Sequence, residues 1–224
     1  MLIVAFGDSV TQGLTVDGEH LHDEVYHARF RRLLEGRYPQ STFSVLNAGV
    51  AGQTACGAVS LVDRDIIRHQ PDLTLIALGL NDAWNGPDGL PDYVGCLSTI
   101  IERVQRETAS DVVLLTPNMM NTRTHAGASR DDRGAFEASA AIQTRGIVAA
   151  YAQAVRDLAV RFDVACADVY AAWSAQADAG TDTDAWLANH MNHPTAEAHT
   201  VPAALLMELV VAWEPSAAPA NHTS

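Results

Sequence analysis

Ser9 follows a short apolar run, Leu2 to Phe6, and the glycine that ends it, in Gly7-Asp8-Ser9. An uninterrupted apolar run of that length suits a parallel strand buried on both faces. In open α/β sheets ligands bind in the crevice beyond the carboxyl ends of such strands, so a hydroxyl there is a candidate nucleophile. Two further runs end in the same style. Thr42 to Leu46 leads into Asn47-Ala-Gly49-Val-Ala-Gly52, and Leu73 to Leu78 leads into Gly79-Leu-Asn81-Asp82. In a parallel sheet these ends share one rim. A serine hydroxyl, a glycine backbone able to present its amide and the side-chain amide of Asn81 would therefore meet in space. Acyl transfer needs that set, because the oxyanion of a tetrahedral intermediate must be held by preorganised donors. Each residue also has a plainer role: serine as a helix N-cap, Asn81 as a turn residue, Gly49 and Gly52 as permissive backbone. Asp8 reads as structural, bonding turn amides.

The elements that must position these residues alternate between strand and helix. After a polar loop carrying His20 and His22, a helix is expected from Glu24 to Tyr38, with Val25, Ala28, Leu33 and Leu34 on its buried side and Pro39 ending it. A helix from about Thr54 to His69 follows the glycine turn, and another runs from about Tyr93 to Thr108. Asp111 to Thr116 is a fourth strand, followed by a long polar stretch from Pro117 to about Arg133, a length usually functional or disordered. A helix from about Ala138 to Phe162, weakened near Gly146, leads to a fifth strand, Val164 to Asp168. Helices at Val169–Asp178 and about Ala196 to Trp213 complete the pattern. This alternation calls for α/β architecture with a parallel sheet and helices on both faces. We read one domain over 1–213, with 214–224 expected to be disordered.

Composition narrows the function. The 224 residues are 48% apolar and 18% charged, enough to bury a sizeable core, and the net charge of −13 argues against a nucleic-acid or anionic-membrane surface. All 14 basic residues are arginine, which removes lysine Schiff-base chemistry and Walker-type phosphate loops. Cys56, Cys96 and Cys166 are odd in number and far apart, so each is expected to be a small buried residue, without a disulfide framework. His190, His193 and His199 lack metal-ligand spacing, so no metal and no cofactor is expected. The first strand lacks Gly-x-Gly-x-x-Gly, and Ser9-Val-Thr lacks the second glycine of a Gly-x-Ser-x-Gly elbow. Without a signal peptide or a long apolar run, a cytoplasmic location is expected.

Gly7-Asp-Ser9, Gly52 in the glycine turn, Gly79-x-Asn81-Asp82 and His193-Pro194 together resemble, in order and spacing, the four blocks of the SGNH (GDSL-like) hydrolase superfamily. The resemblance implies a flavodoxin-like, three-layer α/β/α sandwich around a five-stranded parallel sheet. It implies Ser9 as nucleophile and His193 as base. It also implies an oxyanion hole made by the Ser9 amide, the Gly52 amide and the Asn81 side chain. One position departs from the pattern: the family usually has aspartate three residues before the histidine, and here that residue is His190. Three readings stay open. They are a Ser9–His193 dyad oriented by a backbone carbonyl, a carboxylate recruited from elsewhere, with Asp184 nearest in sequence, and an impaired enzyme. We favour the dyad.

The implied activity is a serine esterase acting on a small-molecule ester through an acyl-enzyme. The loops expected to line the pocket, 14–23, 83–92, 117–133 and 186–192, are polar, which favours a short acyl group such as acetyl on a polar or carbohydrate alcohol. Arg123, Arg130 and Arg133 could meet an anionic substrate but read more simply as solvated charge. The alternatives are a lipase- or thioesterase-like acyl hydrolase and a non-catalytic binding module that retains the fold.

Overall fold

Five strands form one parallel sheet in the computed structural model, which describes residues 1–16 and 18–213. In chain order the elements are β1 (Leu2–Gly7), α1 (Ser9–Gln12), α2 (Tyr26–Arg37), β2 (Ser44–Gly49), α3 (Ala55–Ala58), α4 (Val62–Asp65) and β3 (Leu73–Ala77). They continue with α5 (Leu90–Glu107), β4 (Asp111–Leu115), α6 (Arg133–Thr144), α7 (Ile147–Phe162), β5 (Ala165–Ala167), α8 (Val169–Asp178) and α9 (Thr200–Trp213). The strand order is β2-β1-β3-β4-β5, the flavodoxin-like order. The expected disordered tail, 214–224, lies outside the described residues.

Successive side chains of a strand point to opposite faces, and both faces here are covered. Val4, Phe6, Ile76 and Leu114 pack against residues of α3, α4, α5 and α7, including Ala55, Val62, Ile100, Ile101 and Val155. Ile3, Leu73, Leu75 and Val113 pack against α2, α8 and α9 through Phe30, Leu34, Trp173 and Leu206. The result is a three-layer α/β/α sandwich. The pairing register sets Gly7 beside Gly49 on one side and Ala77 on the other, so the ends of β1, β2 and β3 lie level on one rim.

Four expectations need correction. The second strand is not Thr42 to Leu46; it begins at Ser44 and continues through Asn47-Ala48-Gly49, because pairing with β1 holds it to its end. The helix expected from Thr54 to His69 is broken into α3, α4 and two 3-10 turns. Gly57 and the β-branched Val59, Val62, Ile66 and Ile67 are weak helix formers, which is consistent with the breaks. Leu33 is exposed, since the buried stripe of α2 runs through Tyr26, Phe30 and Leu34 at four-residue spacing and places Leu33 off it.

The fourth correction concerns the cysteines. Cys56 in α3 is exposed and is joined to Cys96 in α5 by a disulfide, with Cα atoms 4.9 Å apart, while Cys166 is half-buried. The bridge closes a loop of 40 residues. By the chain-entropy model such a loop contributes about 4 kcal/mol. Reduction by dithiothreitol is therefore expected to lower the melting temperature by roughly 10 °C in a chain of this size. Superimposable melts with and without reductant would contradict a formed bridge.

Candidate active site

Ser9 is carried by a tight strand-to-helix turn. At Gly7 a side chain is excluded: a Cβ would lie 2.2 Å from Thr11 Oγ1 and 2.5 Å from the Ala77 carbonyl. Asp8, in extended conformation, is the N-cap of α1, and its carboxylate accepts the Val10 amide at 2.9 Å. The cap is thus Asp8, which leaves the Ser9 hydroxyl for another partner. That partner is His193. The Ser9 hydroxyl lies 2.9 Å from His193 Nε2, and His193 Nδ1 lies 3.0 Å from the Thr15 carbonyl. A carbonyl can only accept, so Nδ1 carries the proton and Nε2 presents its lone pair to Ser9. A general base needs that tautomer. Burial lowers the His193 pKa below the ordinary histidine value, with the Thr15 bond opposing, so the ring is neutral at pH 7.

The backbone around His193 is fixed by Asn189. Its side-chain oxygen accepts the amides of Met191 (3.1 Å), Asn192 (2.9 Å) and His193 (2.9 Å), closing an Asx-type turn. Thr15 is held in turn by Glu19, whose carbonyl accepts the Thr15 amide at 2.8 Å and the Thr15 hydroxyl at 3.1 Å.

The glycine turn and Asn81 close on the same point. Gly49 is required by close approach, since a Cβ would lie 2.2 Å from the Gln12 nitrogen. Gly52 is different: it is exposed, has open space around it, and adopts φ +73, which turns the chain toward α3. Among the described residues neither the Gly52 amide nor the Ser9 amide has an acceptor. Asn81 Nδ2 donates to the Gln53 carbonyl at 3.0 Å and faces Asp8 Oδ2 at 3.4 Å, so it sits between the nucleophile turn and the glycine turn. Asp82 anchors that junction by accepting the Ala55 amide at 2.9 Å.

Residues 5–201 match the sequence model of the GDSL-like lipase/acylhydrolase family. The chain belongs to that family. An acetylxylan esterase from Geobacillus stearothermophilus is 27% identical to it over 94 residues, 38% of this chain and 42% of the relative, so the chain spans less than half of that protein. Among solved structures, Axe2, an acetylxylan esterase from Geobacillus stearothermophilus, is similar with a TM-score of 0.70 at 20% identity over 92% of each chain. LAE5, an alpha/beta hydrolase enzyme from the metagenome of Lake Arreo, Spain, is similar at 0.70 and 23% identity over 92% of this chain and 93% of its own. At these identities the likeness is one of fold. Catalytic mutants of Axe2 replace a serine, an aspartate and a histidine.

The two residues considered in place of the family's aspartate are held elsewhere in this chain. His190, at φ +56, stacks on His125 with ring centroids 3.7 Å apart and planes 3° from parallel. Asp184 accepts the Thr122 amide at 2.8 Å and the Thr122 hydroxyl at 3.1 Å, and pairs with Arg123 at 3.4 Å. Both border a cleft shared with Asp182 and Arg123, and among the described residues neither bonds to His193. His190→Ala and Asp184→Ala are each expected to change kcat less than about tenfold, against the roughly 10⁴-fold loss seen when a working triad loses its acid. Kinetics on p-nitrophenyl acetate would read the difference. A loss of several orders of magnitude in Asp184→Ala alone would make that residue the acid.

Three groups near the nucleophile carry displaced pKa values. Burial pushes the Asp8 carboxyl up to about 7; the Val10 amide opposes and neighbouring Asp82 adds to the rise. Burial lowers His27 to about 4, although its Nε2 bonds the Thr11 carbonyl at 3.0 Å. His199, whose Nδ1 accepts the Tyr26 amide at 3.3 Å, is lowered to about 3, by burial and then by His27, Arg29 and His193. Thr15 and Asn189 were missed by sequence reasoning. A carbonyl leaves no side-chain signal, but an asparagine four residues before a histidine is a recognisable turn former.

Proposed function

We propose that Ser9 attacks the carbonyl carbon of an ester while His193 Nε2 takes the hydroxyl proton. The C–O bond to the alcohol then breaks, with that proton returned to the leaving oxygen. Water, activated by the same imidazole, releases the acid and restores Ser9. The oxyanion would be met by the Ser9 and Gly52 amides and by Asn81 Nδ2, which must turn from Gln53 toward the substrate. The imidazolium formed during attack is stabilised by the Thr15 carbonyl dipole rather than by a carboxylate. One observation carries the reading: the 2.9 Å contact of Ser9 Oγ with a His193 ring whose tautomer Thr15 fixes. Asn81→Ala is expected to reduce kcat by about 10²–10³ with little change in KM, because the lost donor acts on charge that develops in the transition state.

For the substrate we propose a short acyl group, acetyl in first place, on a polar or carbohydrate alcohol. The polar rim loops and the likeness to acetylxylan esterases support it. A panel of esters varying acyl length and alcohol tests this directly. Activity falling steeply beyond acetyl or propionyl is expected; a preference for octanoyl or for acyl thioesters would replace the acetylesterase reading with a lipase- or thioesterase-like one. No described helix is long and apolar enough to cross a membrane. We propose a cytoplasmic site of action, with the Cys56–Cys96 pair held as thiols in the cell and bridged only after isolation, since such bridges are a feature of oxidising compartments. Trapping thiols with an alkylating agent at lysis reads the compartment, and a fully oxidised pair would move the protein out of the cytoplasm.

A further inference from the structure

Directly behind the nucleophile turn, on the face covered by α2, α8 and α9, lies a chamber of about 40 Å³. It is bordered by chain neighbours of all three candidate side chains: Asp8 and Val10 beside Ser9, Leu80 beside Asn81, and Pro194 beside His193. Most of the wall is apolar, but His199 and Trp173 also line it, and each is 1% exposed. His199 Nδ1 accepts the Tyr26 amide, so its proton is on Nε2. That Nε2–H and the Trp173 Nε1–H have no hydrogen-bond partner among the described residues. A buried donor left without a partner costs about 1–3 kcal/mol, so two of them on residues that line one small chamber call for an acceptor.

We propose that the chamber is a built water site, whose ordered water accepts the His199 and Trp173 N–H groups and donates to the Asp8 carboxyl. Water fits on size and on chemistry. A buried water needs roughly 10–15 Å³ and two to four polar partners, so the chamber has room for up to about three or four molecules. An anion would suit the two donors but not the Asp8 oxygens beside them. A carboxyl has about four acceptor sites, and Asp8 uses one on the Val10 amide and turns another toward Asn81. Water on its remaining face links α8 and the start of α9 to the turn that positions Ser9 and to the candidate oxyanion donor.

The test is a crystal structure at about 1.5 Å or better, with parallel crystals pressurised with xenon and soaked in bromide. Water density within hydrogen-bond distance of His199 Nε2 and Trp173 Nε1 is expected, with neither xenon nor bromide entering. Xenon in a dry chamber, or bromide between the two donors, would overturn the proposal. In solution, the indole N–H of Trp173 should show a through-space NMR contact to long-lived water, which Trp173→Phe removes together with one water of the crystal structure. If that variant fails to fold, the wild-type contact still decides, since its absence counts against the water.

Discussion

Replacing Ser9 by alanine is expected to lower kcat/KM for p-nitrophenyl acetate by about 10⁴–10⁶-fold, which is roughly 5–8 kcal/mol of transition-state stabilisation. The size follows from the geometry. Ser9 Oγ is the hydroxyl hydrogen-bonded to His193 Nε2. In the proposed mechanism its loss removes covalent catalysis altogether and leaves only the candidate oxyanion donors and binding. The fold should be unaffected, because Asp8 rather than Ser9 caps α1. His193→Ala should cost about as much, and the double variant little more, since nucleophile and base act as one unit. A Ser9→Ala enzyme with unchanged turnover would mean that the chemistry lies elsewhere, or that the chain binds without reacting.

Acidification is expected to destabilise the protein well before its surface carboxylates are protonated. His27 and His199 are buried and held neutral, at about 4 and about 3. Above the unfolded value of 6.5, the stability tied to their depressed pKa values is fully present. As pH falls, the unfolded chain takes up protons that the folded chain refuses, and that stability is lost. At 1.36 kcal/mol per unit of displacement, the full losses are about 3 kcal/mol for His27 and about 5 kcal/mol for His199. Asp8 works in the opposite direction. Its pKa is raised from 3.8 to about 7, so its contribution is greatest below pH 4 and is lost as pH rises through 7. That offsets the histidines by about 4 kcal/mol, leaving a net loss of about 4 kcal/mol between pH 7 and pH 3. Urea unfolding at pH 7, 5.5 and 4 measures the slope. His199→Asn should flatten it, whereas Asp8→Asn should steepen it and raise stability at pH 7. A wild-type stability constant from pH 7 to 4 would show that these groups are not buried as described.

The parts legible in the sequence are those written in short-range pattern. The apolar run closed by Gly7 and the run Leu73 to Leu78 closed by Gly79 mark two of the strand ends on the rim, the glycine turn after Leu46 marks a third three residues early, and Ser9, Asn81 and His193 are the residues whose types suit that rim. The parts that were not legible depend on groups distant in sequence or silent in residue type. Any residue at position 15 offers a carbonyl, so nothing in the letters singles out Thr15 as the partner of His193. Cys56 and Cys96 meet because α3 packs on α5, a tertiary fact that spacing does not encode. The same holds for Asp184, near His193 in sequence yet tied to Thr122 and Arg123. The break-up of the segment after Thr54 was foreshadowed by Gly57 and its β-branched residues, whose low helix propensity outweighed a plausible apolar pattern.

We propose Ser9 as a nucleophile activated by His193, which the Thr15 carbonyl holds in place. Labelling with an organophosphate at neutral pH, read by intact mass and peptide mapping, tests it most directly. We predict one adduct per chain, on the peptide containing Ser9, formed at similar rates in the wild type, His190→Ala and Asp184→Ala. It should be absent in Ser9→Ala and slowed by orders of magnitude in His193→Ala. A wild-type protein that stays unlabelled at Ser9, or labelling that collapses in Asp184→Ala, would contradict the account.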